Sequence, residues 1–489
     1  MKLTTAQNDR ACGVLLATAA GDALGAPYEF QPARGPELPV EMVGGGSFGW
    51  EPGEWTDDTS MAIAIAEIAA TGADLRDTAA HDAIVRRWVA WAKTATDVGI
   101  QTRAVLSRVD DSWPAASARE YAQRQFEQGA RSAGNGSLMR TAPVALAYLT
   151  DATSAGEQAT VEAAIAISDL THADPETAEA CVIWCVAIRY AVLTGELDVR
   201  RGLRHLADDR AQVWAERLDD AEGKRPSDFS KNGWVVGALQ SAWSAISGTP
   251  IPENGRAGDL QGEFRADHLH RALDAAVRCG HDTDTVAAIA GGLLGALHGA
   301  SAVPAAWRRV LHGWPGLRAR DLIVLTERTL RQDRPDTFDY TYRSKGDLSA
   351  RAVHPLDDGV RLGAIGALRP LDAYVDAVVS LCRIGDDDVP ADAEQIEVRL
   401  IDTPDPDANR NLGFVLRDTV EVLQTLRAEG KTVLLHCVQA QSRTPTVAAL
   451  YGAAISGEPA TDVLRQLDGV LPEVNPNRTF RSLITGHQA

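Results

Sequence analysis

Residues 55–70 read Trp-Thr-Asp-Asp-Thr-Ser-Met-Ala-Ile-Ala-Ile-Ala-Glu-Ile-Ala-Ala. From Ser60 onward the apolar side chains recur at the three- and four-residue spacing of a helix, and no turn residue interrupts them. The same texture returns at 178–193 and again at 285–298. Between about Thr5 and Gln332 the chain is rich in Ala, Leu, Val and Trp, and few stretches look like β-branched strands. This pattern predicts a mostly helical domain over residues 1–335.

Segment 334–350 (RPDTFDYTYRSKGDLSA) is polar and aperiodic, which places a linker at 336–350. Beyond it, 359–368 reads as strand and turn, 371–381 as a helix and 395–401 as an alternating strand. A helix follows over 412–429, stopped by Gly430, and then a buried strand over 431–435. The expected fold is therefore multidomain: an all-α domain, then a small α/β domain over 351–489. The length of 489 residues, more than one core usually supports, agrees with that division.

The formal charge of −19 disfavours general binding to nucleic-acid phosphates and suits a site that gathers cations. Six scattered cysteines show no zinc-ribbon spacing and read as reduced, cytoplasmic thiols. The apolar run 11–20 is too short to span a bilayer, and no membrane segment is expected elsewhere.

Four short segments carry the chemistry of the first domain. They are 21–30 (GDALGAPYEF), 55–59 (WTDDT), 134–140 (GNGSLMR) and 280–285 (GHDTDT). The second and fourth put Asp and Thr oxygens at the start of apolar helices. Hard divalent cations prefer such donors. For either segment alone, ordinary helix capping is the better account. All four together resemble the ADP-ribosylglycohydrolase family, over roughly residues 10–310.

That resemblance implies an all-helical fold with two Mg²⁺ ions, or Mn²⁺, in a central cleft. It implies Thr56, Asp57 and Asp58 as ligands from one side, and Asp282, Asp284 and Thr285 from the other. Glu29 matches the acid/base glutamate, with Asp22 supporting the metal site. Gly134, Asn135 and Gly136 match a loop that approaches ADP-ribose, and His172 matches a ligand-binding histidine. The alternatives are a plain turn for the Asn-Gly pair and a structural role for the lone histidine.

In the second domain, residues 433–444 (VLLHCVQAQSRT) contain Cys-x5-Arg-Thr between an apolar strand and an Ala-rich helix. Such a loop offers N–H groups and a helix N-terminus to a phosphate, Arg443 grips it, and the same field favours the thiolate of Cys437. Thr444 is placed to stabilise that thiolate as a leaving group. The segment resembles the cysteine-dependent, dual-specificity phosphatases over about 358–485. Asp402 matches their general acid, with Asp405 and Asp407 as rivals. The family loop has glycine where Ala440 stands, which leaves activity open.

The expected function is metal-dependent hydrolysis of the glycosidic bond of ADP-ribose in an ADP-ribosylated protein, nucleic acid or small molecule. The alternative is a phosphatase whose helical domain only binds ADP-ribose. The sequence specifies no oligomeric state.

Overall fold

The computed structural model describes residues 2–129, 132–256, 258–332, 334–345, 348–385 and 387–485. Gly346 and Asp347 of the expected linker lie outside the described residues. The chain forms two compact units. One comprises Met1–Pro250, His268–Val303 and Val310–Pro335; the other comprises Ile251–Asp267, Pro304–Arg309 and Asp336–Ala489.

The first unit is helical. Its long helix Thr5–Gly25 opens with a capping box between Thr4 and Gln7 and is buried from Arg10 to Gly25. It lies against helix Thr283–His298, which is buried along its whole length. Glycines bring the two backbones into contact. A Cβ on Gly13 would stand 2.3 Å from the Gly295 carbonyl oxygen, and one on Gly291 would stand 2.1 Å from that of Ala17. At the far end a Cβ on Gly25 would stand 2.4 Å from Cα of Asp284. The small residues of 285–298 are thus a seam between helices, and the seam delivers Asp284 to the end of the first helix.

Helix Asp57–Ala69 carries the run that opened this section. Helix Pro175–Thr194 starts at the Asp174 cap and ends at left-handed Gly195. It is long and apolar enough to cross a membrane by length and composition, but most of it is buried inside the unit. Trp184 on it donates to the carbonyl of Ile289 at 2.9 Å.

The second unit holds a five-stranded sheet in the order Arg351–His354, Asp357–Gly363, Val433–His436, Ala377–Ser380, Glu394–Glu397. The first pair is antiparallel and the other pairings are parallel. Gly363 and Ser380 both stand opposite His436, so three strands end at one edge, and the loops that leave it converge. Helix Leu412–Ala428 matches the expected one.

The expected helix at 371–381 is corrected: this segment supplies strand Ala377–Ser380. Its four residues are wholly buried between two neighbours, so both faces are apolar, and a continuous apolar run carries no period to separate strand from helix.

Two segments from within 1–335 belong to this second unit because their polar groups bond there. The carboxylate of Asp267 pairs with Arg417. The N–H of Ala305 donates to Asp418 at 2.9 Å, and Arg308 donates to the carbonyl of Glu397 at 2.6 Å.

Candidate active site

The cluster is assembled from helix ends. Thr56 is the N-cap of helix Asp57–Ala69, yet its side chain makes no capping bond. Asp22 does that work from the neighbouring helix: its carboxylate accepts from the N–H of Thr56 at 2.9 Å and the N–H of Thr59 at 3.0 Å. It also accepts from the Thr59 hydroxyl at 2.6 Å. The hydroxyl of Thr56 is thereby free to lie 3.1 Å from Asp58 Oδ2 and 3.5 Å from Asp284 Oδ2. Asp282 likewise caps helix Thr283–His298 in position but not through its side chain. Capping, sufficient for either segment alone, is not what these oxygens do.

One carboxylate oxygen from each of Asp22, Asp58 and Asp284 lies within 4.8 Å of the others, and the same holds for Glu29, Asp282 and Asp284. Asp284 is common to both trios. The Thr285 hydroxyl stands 3.4 Å from Asp58 Oδ2. Asp57 joins neither trio; its Oδ2 accepts from the N–H of Gly99 at 3.2 Å. No lysine or arginine pairs with any of these acids among the described residues.

Burial raises every carboxyl here, and neighbouring acids add to the rise for most of them. Asp22 is pushed up to about 6, Asp57 to about 8, and Asp58 and Asp284 well above the usual carboxylate range. Glu29 is raised to about 9 by burial, then by Asp282 and Asp97. A set of acids in this state needs protons or cations to neutralise it. Three buried oxygens, Asp58 Oδ1, Asp284 Oδ1 and Glu29 Oε2, have no hydrogen-bond partner. Unsatisfied hard oxygens beside shared carboxylates fit divalent cations.

Glu29 and Asp282 are held together by main chain. Phe30 and His281 both adopt left-handed φ, at 63° and 61°. Each donates its N–H to a carbonyl of the other segment, Phe30 to that of His281 at 2.6 Å and His281 to that of Gln31 at 2.7 Å. Strain of this kind is kept where surrounding structure over-determines it.

The loop 134–136 borders the same cluster. Asn135 donates to Asp282 Oδ2 at 2.8 Å and to the carbonyl of Asn232 at 2.9 Å. His172 lies under this loop, only 1% exposed, and a Cβ on Gly136 would stand 3.2 Å from its Nε2.

Two residues escaped the sequence reading. Asp97 is raised by burial and by Asp282, and comes from a polar stretch with no pattern. Buried Asn232 accepts from the N–H of Asp282 at 3.3 Å and donates to the Gly280 carbonyl at 2.8 Å. It heads a second Asn-Gly pair, a signal that could have been used.

In the second unit, helix Arg443–Ser456 begins inside the Cys-x5-Arg motif. Cys437 is buried, as are all six cysteines, none of them in a disulfide. Among the described residues the N–H groups of 438–442 donate to no protein acceptor. Arg443 is anchored through Nη1 to the carbonyls of Leu381 at 2.9 Å and Leu400 at 2.8 Å, and its Nε makes no hydrogen bond. Thr444 Oγ1 is also unpartnered. Asp402 lies 3.8 Å from Arg443 Nε and accepts from Ser442 and Asn477, each at 2.8 Å. Its rival Asp405 is occupied in a turn, accepting from the N–H of Asp407 at 3.0 Å.

Ala440 takes φ 59°, the conformation that a glycine would adopt without strain. Ala440→Gly is therefore expected to stabilise the protein by about 0.5–1 kcal/mol, the relief of left-handed strain less the added chain entropy. Urea unfolding measures it.

A family profile described as ADP-ribosylglycohydrolase matches residues 3–337. The ADP-ribosylarginine hydrolase Tri1 of Serratia proteamaculans is 29% identical over 309 residues, covering 61% of this chain and 74% of that protein. A solved structure titled "ADP-ribosylglycohydrolase-related protein complex" aligns with TM-score 0.47 and 26% identity, over 68% of this chain and all of that one. Human DUSP28 aligns with TM-score 0.25 and 20% identity, over 29% of this chain and 93% of that one. The profile spans well over half of the residues and includes the whole acidic cluster, so the chain belongs to the ADP-ribosylglycohydrolase family and is a hydrolase of glycosidic bonds.

Proposed function

We propose that the first unit releases ADP-ribose from modified arginine side chains of proteins, with two divalent cations, Mg²⁺ or Mn²⁺, in the acidic cluster. The observation that carries this reading is Asp284, shared by two trios of acids and left with an unsatisfied buried oxygen. The arginine linkage follows the printed name of the Serratia relative. Thr56, Asp57, Asp58, Asp282, Asp284 and Thr285 are the proposed ligands, and Asp22, itself a member of one trio, is placed to join them. Bound cations supply charge that orients the ribose hydroxyls and a water molecule.

The chain does the rest. Gly134, Asn135 and Gly136 bring backbone close to the ligand, and Asn135 fixes Asp282. Glu29, beside Asp282, carries the proton. As the bond from the anomeric carbon to the guanidine nitrogen breaks, water gives its hydroxyl to that carbon and its proton, through Glu29, to the departing nitrogen.

Release of ADP-ribose from an arginine-modified protein, assayed with and without Mg²⁺ or Mn²⁺, tests the reading. Glu29→Gln is expected to lower kcat by about 10²–10⁴-fold while binding of ADP-ribose persists. Serine- and DNA-linked substrates serve as comparisons, and turnover of only those would overturn the arginine linkage.

Residues 351–489, within the second unit, are read as a phosphatase-like domain. Five N–H groups without protein acceptors among the described residues, and an Arg443 Nε and a Thr444 hydroxyl that make no hydrogen bond, support it. Cys437 would attack phosphorus, and the ester oxygen would leave with a proton from Asp402. Water then hydrolyses the thiophosphate. Trapped phosphate on Cys437, absent in Cys437→Ser, checks this step.

A further inference from the structure

We infer that a buried relay from Arg140 through Thr171 fixes His172 in one tautomer, with its Nε2–H presented as a hydrogen-bond donor to the substrate at the glycine loop. This rests on the reading of the cleft as an ADP-ribose site. It adds two positioning residues, Arg140 and Thr171, and a definite proton location.

Arg140 is fully buried, and among the described residues its guanidinium forms no ion pair with a carboxylate; it donates to Met61 Sδ and to Thr171. Its guanidinium lies 3.9 Å over the Trp88 ring, and Nη2 is 2.6 Å from Thr171 Oγ1. A guanidinium can only donate, so Thr171 accepts here. The hydroxyl has one proton of its own to place. Its only other partner among the described residues is His172 Nδ1, at 2.7 Å. If that nitrogen carried a proton, the hydroxyl proton would be left buried with no acceptor, the costly outcome for a polar group removed from water. The Thr171 hydroxyl therefore donates to Nδ1, and the neutral ring carries its proton on Nε2. Burial, and after it the positive charge of Arg140, disfavours a second proton on the ring.

Nε2 faces the loop, close to where Cβ atoms on Gly134 and Gly136 would fall, at 3.4 Å and 3.2 Å. It makes no hydrogen bond to the protein among the described residues. The same segment is tied from the other side, because Gln101 Nε2 donates to the carbonyls of Ser132 at 2.9 Å and Thr171 at 3.1 Å. A ring held in this way sets its unspent Nε2–H against a backbone that carries no Cβ, and the acceptor it is inferred to meet there is a phosphate or ribose oxygen of ADP-ribose.

The test is nitrogen-15 NMR of histidine-labelled full-length protein, with the His172 signal identified by its loss in His172→Asn. The expected result is a single neutral tautomer protonated at Nε2, with that nitrogen shifting on addition of ADP-ribose. Thr171→Val should release the tautomer and weaken ADP-ribose binding about tenfold, raising KM with little change in kcat. Thr171→Ser, which keeps the hydroxyl, should restore both. Should Thr171→Val fail to fold, the wild-type tautomer and Thr171→Ser still decide. A proton on Nδ1, a charged ring at neutral pH, or a Nε2 signal indifferent to ADP-ribose in a protein that still hydrolyses its substrate would overturn the relay alone. A wild-type protein that releases no ADP-ribose from any linkage would overturn the underlying reading instead.

Discussion

Asp284→Asn is expected to reduce ADP-ribose release by more than about 100-fold while making the cation-free protein more stable. The two effects share one cause. Asp284 is the carboxylate common to both acidic trios, so its loss removes a proposed ligand oxygen from each. Partners one step outside a metal already cost about 10–100-fold when removed, and a shared ligand should cost more. Without cations, though, Asp284 is a buried acid with one unsatisfied oxygen, crowded by Glu29, Asp58 and Asp282. Asparagine keeps the shape and discards the charge. Steady-state release, Mn²⁺ titration calorimetry and thermal unfolding in chelator measure the three quantities. A fall in both activity and cation-free stability would show a damaged fold, not a lost ligand.

Stability of the cation-free protein is expected to decline from pH 7 to pH 8, by about 1.4 kcal/mol for each excess proton the folded state holds. The sign follows from the direction of the shifts. Unfolded carboxyls have shed their protons by pH 7, whereas folded Asp57 titrates near 8 and Glu29 near 9. The folded state therefore binds more protons in this window, and raising the pH favours the unfolded chain. Below pH 7 the slope is opposed by buried histidines such as His436, held down near 4 by burial, which gain a proton on unfolding. Carboxylates paired with arginines, such as Glu157 near 2, add nothing above pH 5. Millimolar Mg²⁺ or Mn²⁺ should flatten the decline, because cations replace the protons, and Asp284→Asn should reduce it. Unfolding curves at pH 7, 7.5 and 8, with chelator and with cation, give the comparison.

Much of the cluster could be read from residues 55–59 and 280–285, because hard-cation chemistry restricts the side chains it uses. The helices around it were legible for a similar reason: 60–70 and 285–298 are long, and length lets a period show. Where the reading failed, the run was short. Segment 377–380 is buried on both faces and has no alternation to display. Asp22 was seen only as a support. Its role as a surrogate cap depends on a neighbouring helix end, which no local pattern encodes. Asp97 lies in an aperiodic loop and enters through tertiary proximity alone. The recruitment of 251–267 and 304–309 to the second unit was equally invisible, since it rests on ion pairs and backbone bonds to residues far along the chain.

The glycine seam between Thr5–Gly25 and Thr283–His298 sets an order of events during synthesis. Half of the acidic cluster leaves the ribosome early, and its partners emerge only when Thr283–His298 has been made. Closing so long a loop is slow and entropically unfavourable until the seam can form. A nascent chain therefore carries Asp22, Glu29 and Asp58 without a counterpart while the more than two hundred residues before Asp282 are made. Cation capture would then wait on the closing of this seam, and a chain truncated before residue 283 should hold no metal however much helix it has formed.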